Sequence, residues 1–165
     1  MGLDMYLSAR KHINKIDWQK LDRDSDTKYS DATFQQWNDV VNAAGVATLV
    51  KDESIYGVDV SVNVAYWRKV NSVHRWFVDN VQGGVDDCDE YYVDLEMLKK
   101  LGSDCQKILD DHSKAPDVLP TTEGFFFGSY EKDEWYYKDL ENTVRGLERA
   151  LSLPDSYEFY YRASW

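Results

Sequence analysis

Cysteine and proline are scarce in this chain of 165 residues, which has two cysteines and three prolines. Cys88 and Cys105 are not spaced as a redox pair or a zinc site, so we expect two free thiols, as in a cytosolic protein. The sequence has no internal repeat and no low-complexity linker. We therefore predict a single domain over residues 1–165, long enough to bury a core.

Positively charged residues are also few. The sequence has 19 lysines and arginines and 30 acidic residues, which gives a net charge of −11. A field of this sign repels nucleic-acid phosphates and anionic membrane surfaces, so we expect no direct nucleic-acid partner. The acidic residues are spread along the chain, and we expect them to form a solubilising surface. The alternative is mimicry of nucleic-acid charge, which requires the carboxylates to line up in space.

Long apolar runs and known catalytic motifs are absent from the sequence as well. No stretch resembles a signal peptide or a membrane span, so we expect a cytoplasmic protein without a membrane partner. The glycine-lysine phosphate loop, the dinucleotide glycine fingerprint, the zinc-protease helix and the Gly-x-Ser-x-Gly elbow do not occur. The sequence identifies no catalytic residue, metal ligand or cofactor, and it favours a protein that is not an enzyme.

Hydrophobic residues make up 43% of the chain and aromatic residues 15%, which excludes a disordered protein. Apolar and polar residues alternate, as is typical of β-strands, at residues 3–9, 58–64 and 157–163. Because the first and last of these stretches lie at the two ends of the chain, their pairing would tie down both termini.

Helical spacing of apolar residues predicts helices at residues 34–44, 66–81, 95–108 and about 131–152. Ser30 or Asp31, Asp94 and Ser129 are the expected N-caps, and Gly45 is an expected stop. Together these elements predict an α+β fold. We expect a small, mostly antiparallel sheet of three or four strands, formed by the N-terminal, middle and C-terminal strands and covered by about four helices.

The densest group of side chains able to make specific contacts lies at residues 66–77, which we predict to be about three turns of one helix. Trp67, Asn71 and His74 share one face of this helix, at the edge of the core. There Trp67 would stack on a flat ligand, and Asn71 would form hydrogen bonds with the polar edge of that ligand. His74 would donate a hydrogen bond to an anion or transfer a proton. Arg68, on another face, would reach a phosphate or carboxylate. The alternative is that Trp67 and His74 simply pack beneath a loop.

A second dense block, Gly124-Phe125-Phe126-Phe127-Gly128-Ser129, precedes Asp133 and Trp135. Three consecutive aromatic residues cannot all face one side of a strand, so at least one must enter the core and another must face a cleft or a partner. Asp133 and Trp135 would reach a sugar hydroxyl or a base. An anion would meet competition from the nearby carboxylates, so we expect Ser129 to act chiefly as a helix cap.

The acidic run at residues 86–90 could offer oxygens to a divalent cation, but it lacks the regular spacing of a calcium loop. We therefore expect an exposed acidic turn without a metal. A catalytic alternative pairs Asp87 of this run with His74 in a hydrolase or transferase.

Four motifs in combination resemble one family: the start Met1-Gly2-Leu3-Asp4-Met5-Tyr6-Leu7, the segment 66–80, Asp86-Asp87-Cys88, and Gly124–Ser129. The chain resembles a family of small proteins of unknown function encoded by bacteriophages and bacterial prophages. The resemblance covers most of the chain from Met1 to about Leu151. It implies a protein of the bacterial host cytoplasm, and it names no substrate.

These observations lead to three functional hypotheses. The first is a non-catalytic phage accessory protein that binds a small polar or nucleotide-like ligand and sequesters a host signalling molecule. Its pocket would be lined by Trp67, Arg68, Asn71, His74, Asp87, Ser129, Asp133 and Trp135. The second is an acidic protein that inhibits a host protein, and the third is a small enzyme using His74 and Asp87. The sequence does not predict the oligomeric state.

Overall fold

The computed structural model describes residues 2–16, 31–52, 54–122, 127–129 and 131–165. Within these ranges the strands and helices are, in chain order, β1 (Asp4–Asn14), α1 (Asp31–Ala43), β2 (Gly57–Arg68), α2 (Asn71–Asn80), β3 (Glu90–Val93), α3 (Leu95–Asp110), α4 (Ala115–Val118), α5 (Glu134–Leu151) and β4 (Glu158–Ser164). The predicted α+β class is confirmed, with one antiparallel sheet of four strands and five helices in the described part of the chain.

The two strands that the alternation predicted at the ends of the chain pair with each other. β1 and β4 are antiparallel, with Met5 opposite Ala163 and Leu7 opposite Tyr161. β3 pairs with the other side of β4, and the order across the sheet is β2, β1, β4, β3. The short β3 was not predicted, because a strand of four residues is too brief for an alternation to stand out.

The chain divides into two compact units, one formed by residues 1–10 with 61–165 and the other by residues 11–60. β1 and β2 each contribute residues to both units. In the unit formed by residues 11–60, a small core contains Trp37 and Val41 of α1. Gly45 follows α1 with a φ of +72°, which is the conformation expected of a helix stop. The predicted cap Ser30 lies outside the described residues, and the prediction of a single domain stays a prediction.

The larger unit contains the main core, which joins one face of the strands to α2, α3 and α5. Met5 and Leu7 of β1 are fully buried, whereas the intervening Tyr6 is exposed. On α3, Leu101 and Ile108 are fully buried, as their helical spacing predicted. Each large aliphatic side chain that leaves water contributes roughly 1.5–3 kcal/mol to folding. In the larger unit, α2, α3 and α5 therefore pack on the same face of the strands.

The prediction of one helix from residue 66 to residue 81 is wrong. β2 continues to Arg68, and α2 begins only at Asn71. Trp67 is buried while Tyr66 and Arg68 are exposed, so the strand alternation persists beyond the valine-rich segment. Lys69 then adopts a φ of +61°, which ends the strand and turns the chain into α2.

The predicted cap of α3 is confirmed, because the Asp94 carboxylate accepts a hydrogen bond from the Glu96 backbone N–H at 2.7 Å. α5 begins at Glu134, three residues later than predicted, and its cap is Asp133 instead of Ser129. An aspartate carboxylate can accept from two N–H groups at once, and Asp133 accepts from the N–H groups of Trp135 and Tyr136. In the described part of the chain, no helix is both long enough and apolar enough to cross a membrane.

Candidate functional site at the start of α2

Trp67 is a core residue and does not stand on the helix face that carries Asn71 and His74. Its side chain points from β2 into the core and is 4% exposed. The indole N–H donates to the Thr143 hydroxyl of α5 at 2.8 Å, so its one polar group already has a partner. Trp67 therefore has no accessible ring on which a ligand could stack, because the residue belongs to a strand and not to the predicted helix.

His74 is fully buried, and both of its ring nitrogens are hydrogen-bonded within the protein. Nε2 lies 3.0 Å from a carboxylate oxygen of Asp86, and Nδ1 lies 2.8 Å from the hydroxyl of Tyr161. Since a carboxylate only accepts, Nε2 carries the hydrogen and Nδ1 accepts from Tyr161. Burial lowers the pKa of His74, and the charge of Asp86 opposes this shift. The arrangement ties α2 to β4 and leaves no ring nitrogen for a ligand.

Asp87, the expected catalytic partner of His74, bonds elsewhere. Its carboxylate accepts from the backbone N–H of Asp89 at 3.0 Å and from the hydroxyl of Tyr91 at 2.9 Å. It therefore shapes the acidic turn before β3. No group of three or more histidine, cysteine or acidic side chains within the described ranges is arranged to hold a metal ion.

Asn71 organises the loops next to α2. Its amide N–H₂ donates to the carbonyl oxygens of Phe127 at 3.1 Å and of Ser129 at 2.8 Å. Its amide oxygen accepts from the backbone N–H of Thr122 at 3.2 Å. One buried side chain thus holds two loop segments against the first turn of the helix. Phe127 packs edge-on against His74, while residues Gly124 to Phe126 of the aromatic block lie outside the described residues.

A hollow of about 230 Å³ opens beside the first turn of α2, and we refer to it as the α2 hollow. It is lined by residues 68–72 together with residues from the loop before α5 and from the first turns of α5. Five of the eight predicted site residues line it, namely Arg68, Asn71, Ser129, Asp133 and Trp135. The structure thus brings the two dense blocks of the sequence together, while Trp67, His74 and Asp87 lie elsewhere.

One wall of the α2 hollow favours an anion. α2 has no side-chain cap at Val70 and no acidic residue in its first turn, so its N-terminal N–H groups retain their partial positive charge. Arg68 and Lys69 line the same wall. The left-handed backbone of Lys69 costs on the order of 1 kcal/mol, and strain of this kind clusters at functional sites.

Ser72 is the unusual residue of this wall. It lines the α2 hollow, and only 2% of its surface is exposed. No hydrogen bond joins its hydroxyl group to another described residue. The hydroxyl is therefore available as a donor to a group bound in the hollow.

The part of the lining contributed by the loop before α5 and by α5 itself is acidic, and we refer to it as the acidic wall. Asp133 and Asp139 line it, together with Glu131. Burial, aided by the charge of Asp133, raises the pKa of Asp139 to about 6. The carboxyl group of Asp139 is therefore half-protonated near pH 6, because burial and the charge of Asp133 disfavour its ionised form.

The rim of the hollow is formed by two residues with special geometry. Trp135 is 76% exposed, so its indole face is open to a ligand. Gly128 has a φ of +94°, and a Cβ atom at this position would lie 2.8 Å from the carbonyl oxygen of Lys69. Only glycine lets the loop backbone pack this closely on the turn between β2 and α2.

Two other hollows in the larger unit have weaker chemistry. One of about 460 Å³ lies along α5, with His112 stacked on Tyr137 at 3.7 Å, and its lining residues are mostly exposed. Another of about 360 Å³ lies on the uncovered face of the sheet beside Tyr6 and Arg162. Neither contains a buried polar side chain without a partner, so the α2 hollow is the better candidate.

Sequence reasoning missed Lys69, Ser72 and Asp139 as lining residues of the hollow. Ser72 and Lys69 lay within the predicted helix, and a correct helix start at Asn71 would have placed both at an uncapped N-terminus. The signal for that start was the strand alternation through Tyr66 and Arg68. Nothing in the sequence around Asp139 marks it, because its burial depends on tertiary packing.

Comparison with known proteins gives no relative on which to build. No family model, no curated protein and no solved structure matches the chain. The assignment to a phage family stays a prediction from motifs, and the function is argued from the site.

Proposed function

We propose that this protein is a non-catalytic binding protein whose α2 hollow holds the phosphate or carboxylate group of a small ligand. The observation that carries the proposal is Ser72, a residue at the uncapped N-terminus of α2 that lines the hollow and whose hydroxyl has no hydrogen-bond partner among the described residues. Backbone N–H groups at such an end, together with Arg68 and Lys69, supply the donors and positive charge that an anion requires.

The dimensions of the hollow limit the ligand. Its volume of about 230 Å³ lies below the roughly 300–1,000 Å³ typical of pockets for drug-sized molecules. A compact ligand would fit inside, and a nucleotide-like ligand would place its phosphate at α2 and its ring outside. The exposed indole of Trp135 at the rim supports the second arrangement, because flat rings stack on it.

The partners of the reactive groups support binding without catalysis. The Ser72 hydroxyl has no hydrogen-bonded base, and His74 is committed to Asp86 and Tyr161. Asp139 has a pKa suited to proton transfer, but no nucleophile in the described part of the chain is hydrogen-bonded to it. A nucleophile with an adjacent base is the usual requirement for covalent catalysis.

The motif resemblance supports a biological setting for this proposal. An accessory protein of a bacteriophage, in the cytoplasm of the bacterial host, would use the hollow to sequester a small host signalling molecule. The alternative of charge mimicry gains less support. The carboxylates of Asp94, Asp111 and Asp133 accept hydrogen bonds from backbone N–H groups at helix starts and so stabilise those helices.

The proposal is tested by calorimetric titration with inorganic phosphate and with a panel of nucleoside monophosphates. We expect saturable binding, weakened at least tenfold by Arg68→Gln, because a charge-assisted hydrogen bond contributes about 1.5–3 kcal/mol. Arg75→Gln is the matched control, since Arg75 is an exposed residue of α2 paired with Asp79 and lies outside the lining of the hollow. Equal effects of the two substitutions, or no binding by the parent protein, would overturn the proposal.

A further inference from the structure

Building on the proposed function, we propose that the α2 hollow selects zwitterionic ligands, which carry a protonated amine as well as a phosphate or carboxylate group. Arg68, Lys69 and Ser72 bind the anionic group, and Asp139 binds the amine.

The two walls of the hollow carry opposite charges that do not neutralise each other. Among the described residues, no ion pair joins Arg68 or Lys69 to Asp133 or Asp139. The carboxylate nearest to Arg68 in an ion pair is that of Asp4, at 3.8 Å. Lining groups of both charge signs are therefore not paired with each other, and one ligand can contact both.

The acidic wall offers acceptors without donors. Asp139 is half-buried, and its carboxylate has no hydrogen bond or ion pair within the described residues. Asp133 uses one carboxylate oxygen, Oδ1, for both capping bonds, so Oδ2 remains an acceptor. An ammonium group supplies three donors and one positive charge, which match such a wall.

A ligand with negative charge alone would be poorly matched to this hollow. The carboxylates of Glu131, Asp133 and Asp139 would repel it, because burying the negative charge of the ligand next to other negative charges is unfavourable. An amine at Asp139 converts this repulsion into attraction. The small volume of about 230 Å³ suits a ligand of amino-acid size, in which both charged groups lie close together.

A matched pair of probes tests the inference. O-phosphoethanolamine and ethyl phosphate differ by the ammonium group, and calorimetric titration at pH 7.5 compares them directly. We expect phosphoethanolamine to bind about tenfold more tightly, as for one charge-assisted contact. Glycine and β-alanine, titrated in the same way, determine whether a carboxylate replaces the phosphate.

Substitutions assign the preference to Asp139. Asp139→Asn, which is nearly isosteric, should reduce the tenfold preference for phosphoethanolamine over ethyl phosphate to about onefold. Glu148→Gln removes the same charge from an exposed position of α5 and should keep the preference. Because the pKa of Asp139 is about 6, the preference should also shrink at pH 5, where its carboxyl group is protonated.

The possible outcomes separate this inference from the proposed function. Equal binding of the two probes, with binding still dependent on Arg68, would overturn the zwitterion inference and leave anion binding in place. A preference that survives Asp139→Asn would overturn the role of Asp139. Absence of binding by every probe would overturn both.

Discussion

Neighbouring residues at the start of α2 use their polar atoms in opposite ways. Asn71 makes three hydrogen bonds to loop backbone, and these use both of its N–H donors. Ser72 is equally buried, and its hydroxyl has no partner among the described residues. Because its hydroxyl lines the hollow without a partner, Ser72 is the residue with which a bound ligand would form a new hydrogen bond.

The histidines provide a prediction at the scale of single residues. His74 is buried, which lowers its pKa, whereas the pKa of His12 is raised by its hydrogen bond to Asp59. NMR titration of the imidazole resonances should therefore show His12 becoming protonated at a higher pH than 6.5 and His74 at a lower one. His74 then binds a proton more readily in the unfolded chain than in the folded protein. Its contribution to stability is therefore lost as the pH falls below 6.5.

Each histidine serves as the control for the other, and His74→Gln assigns the resonances. A normal titration of His74, near pH 6.5, would mean that its ring is accessible to water. The account of His74 as a structural link between α2 and β4 would then be wrong.

At the scale of elements, the boundary between β2 and α2 determines the site. The apolar spacing of residues 66–81 fits a helix as well as a strand followed by a helix, so periodicity alone could not locate the boundary. The turn depends on Lys69 in a left-handed conformation, which lysine residues rarely adopt. No local signal predicts such a residue, because packing of the surrounding structure imposes it.

Substitution of Gly128 tests how closely the loop that contains it must approach the boundary between β2 and α2. Gly128→Ala should destabilise the fold by about 2–4 kcal/mol, measured by urea denaturation. The added Cβ would lie 2.8 Å from the Lys69 carbonyl oxygen, in a backbone conformation that side chains disfavour. The substitution should also weaken binding in the α2 hollow.

Gly84→Ala is the matched control for the backbone conformation. Gly84 has a φ of +81°, and a Cβ atom there would meet nothing within 4 Å. We expect a loss of about 1–2 kcal/mol from the left-handed backbone alone. Similar losses for both substitutions would show that the loop does not pack on the Lys69 turn.

At the scale of the whole molecule, the sequence predicted the parts of the fold that repeat regularly. The alternation in residues 3–9 and 157–163 predicted two strands, and the structure pairs them across the sheet. Helical spacing and the Asp94 cap likewise predicted α3. The site was only partly predictable, because a motif identifies polar residues without showing whether the fold already uses them, as it does for Trp67 and His74.

The overall charge of −11 sets the conditions for binding. A field of this sign opposes the approach of an anion, so the local donors of the α2 hollow must outweigh it. A zwitterion carries little net charge and meets less of this opposition. The charge of the whole molecule and the two walls of the hollow therefore favour the same class of ligand.

The most direct test of the central claim, that the α2 hollow binds an anion at the start of α2, is an amide NMR titration with ethyl phosphate. The account predicts saturable shifts at the backbone N–H groups of Asn71, Ser72 and Val73, and their loss in Arg68→Gln. Absence of saturable shifts, or shifts confined to lysine-bearing surfaces away from α2, would contradict it.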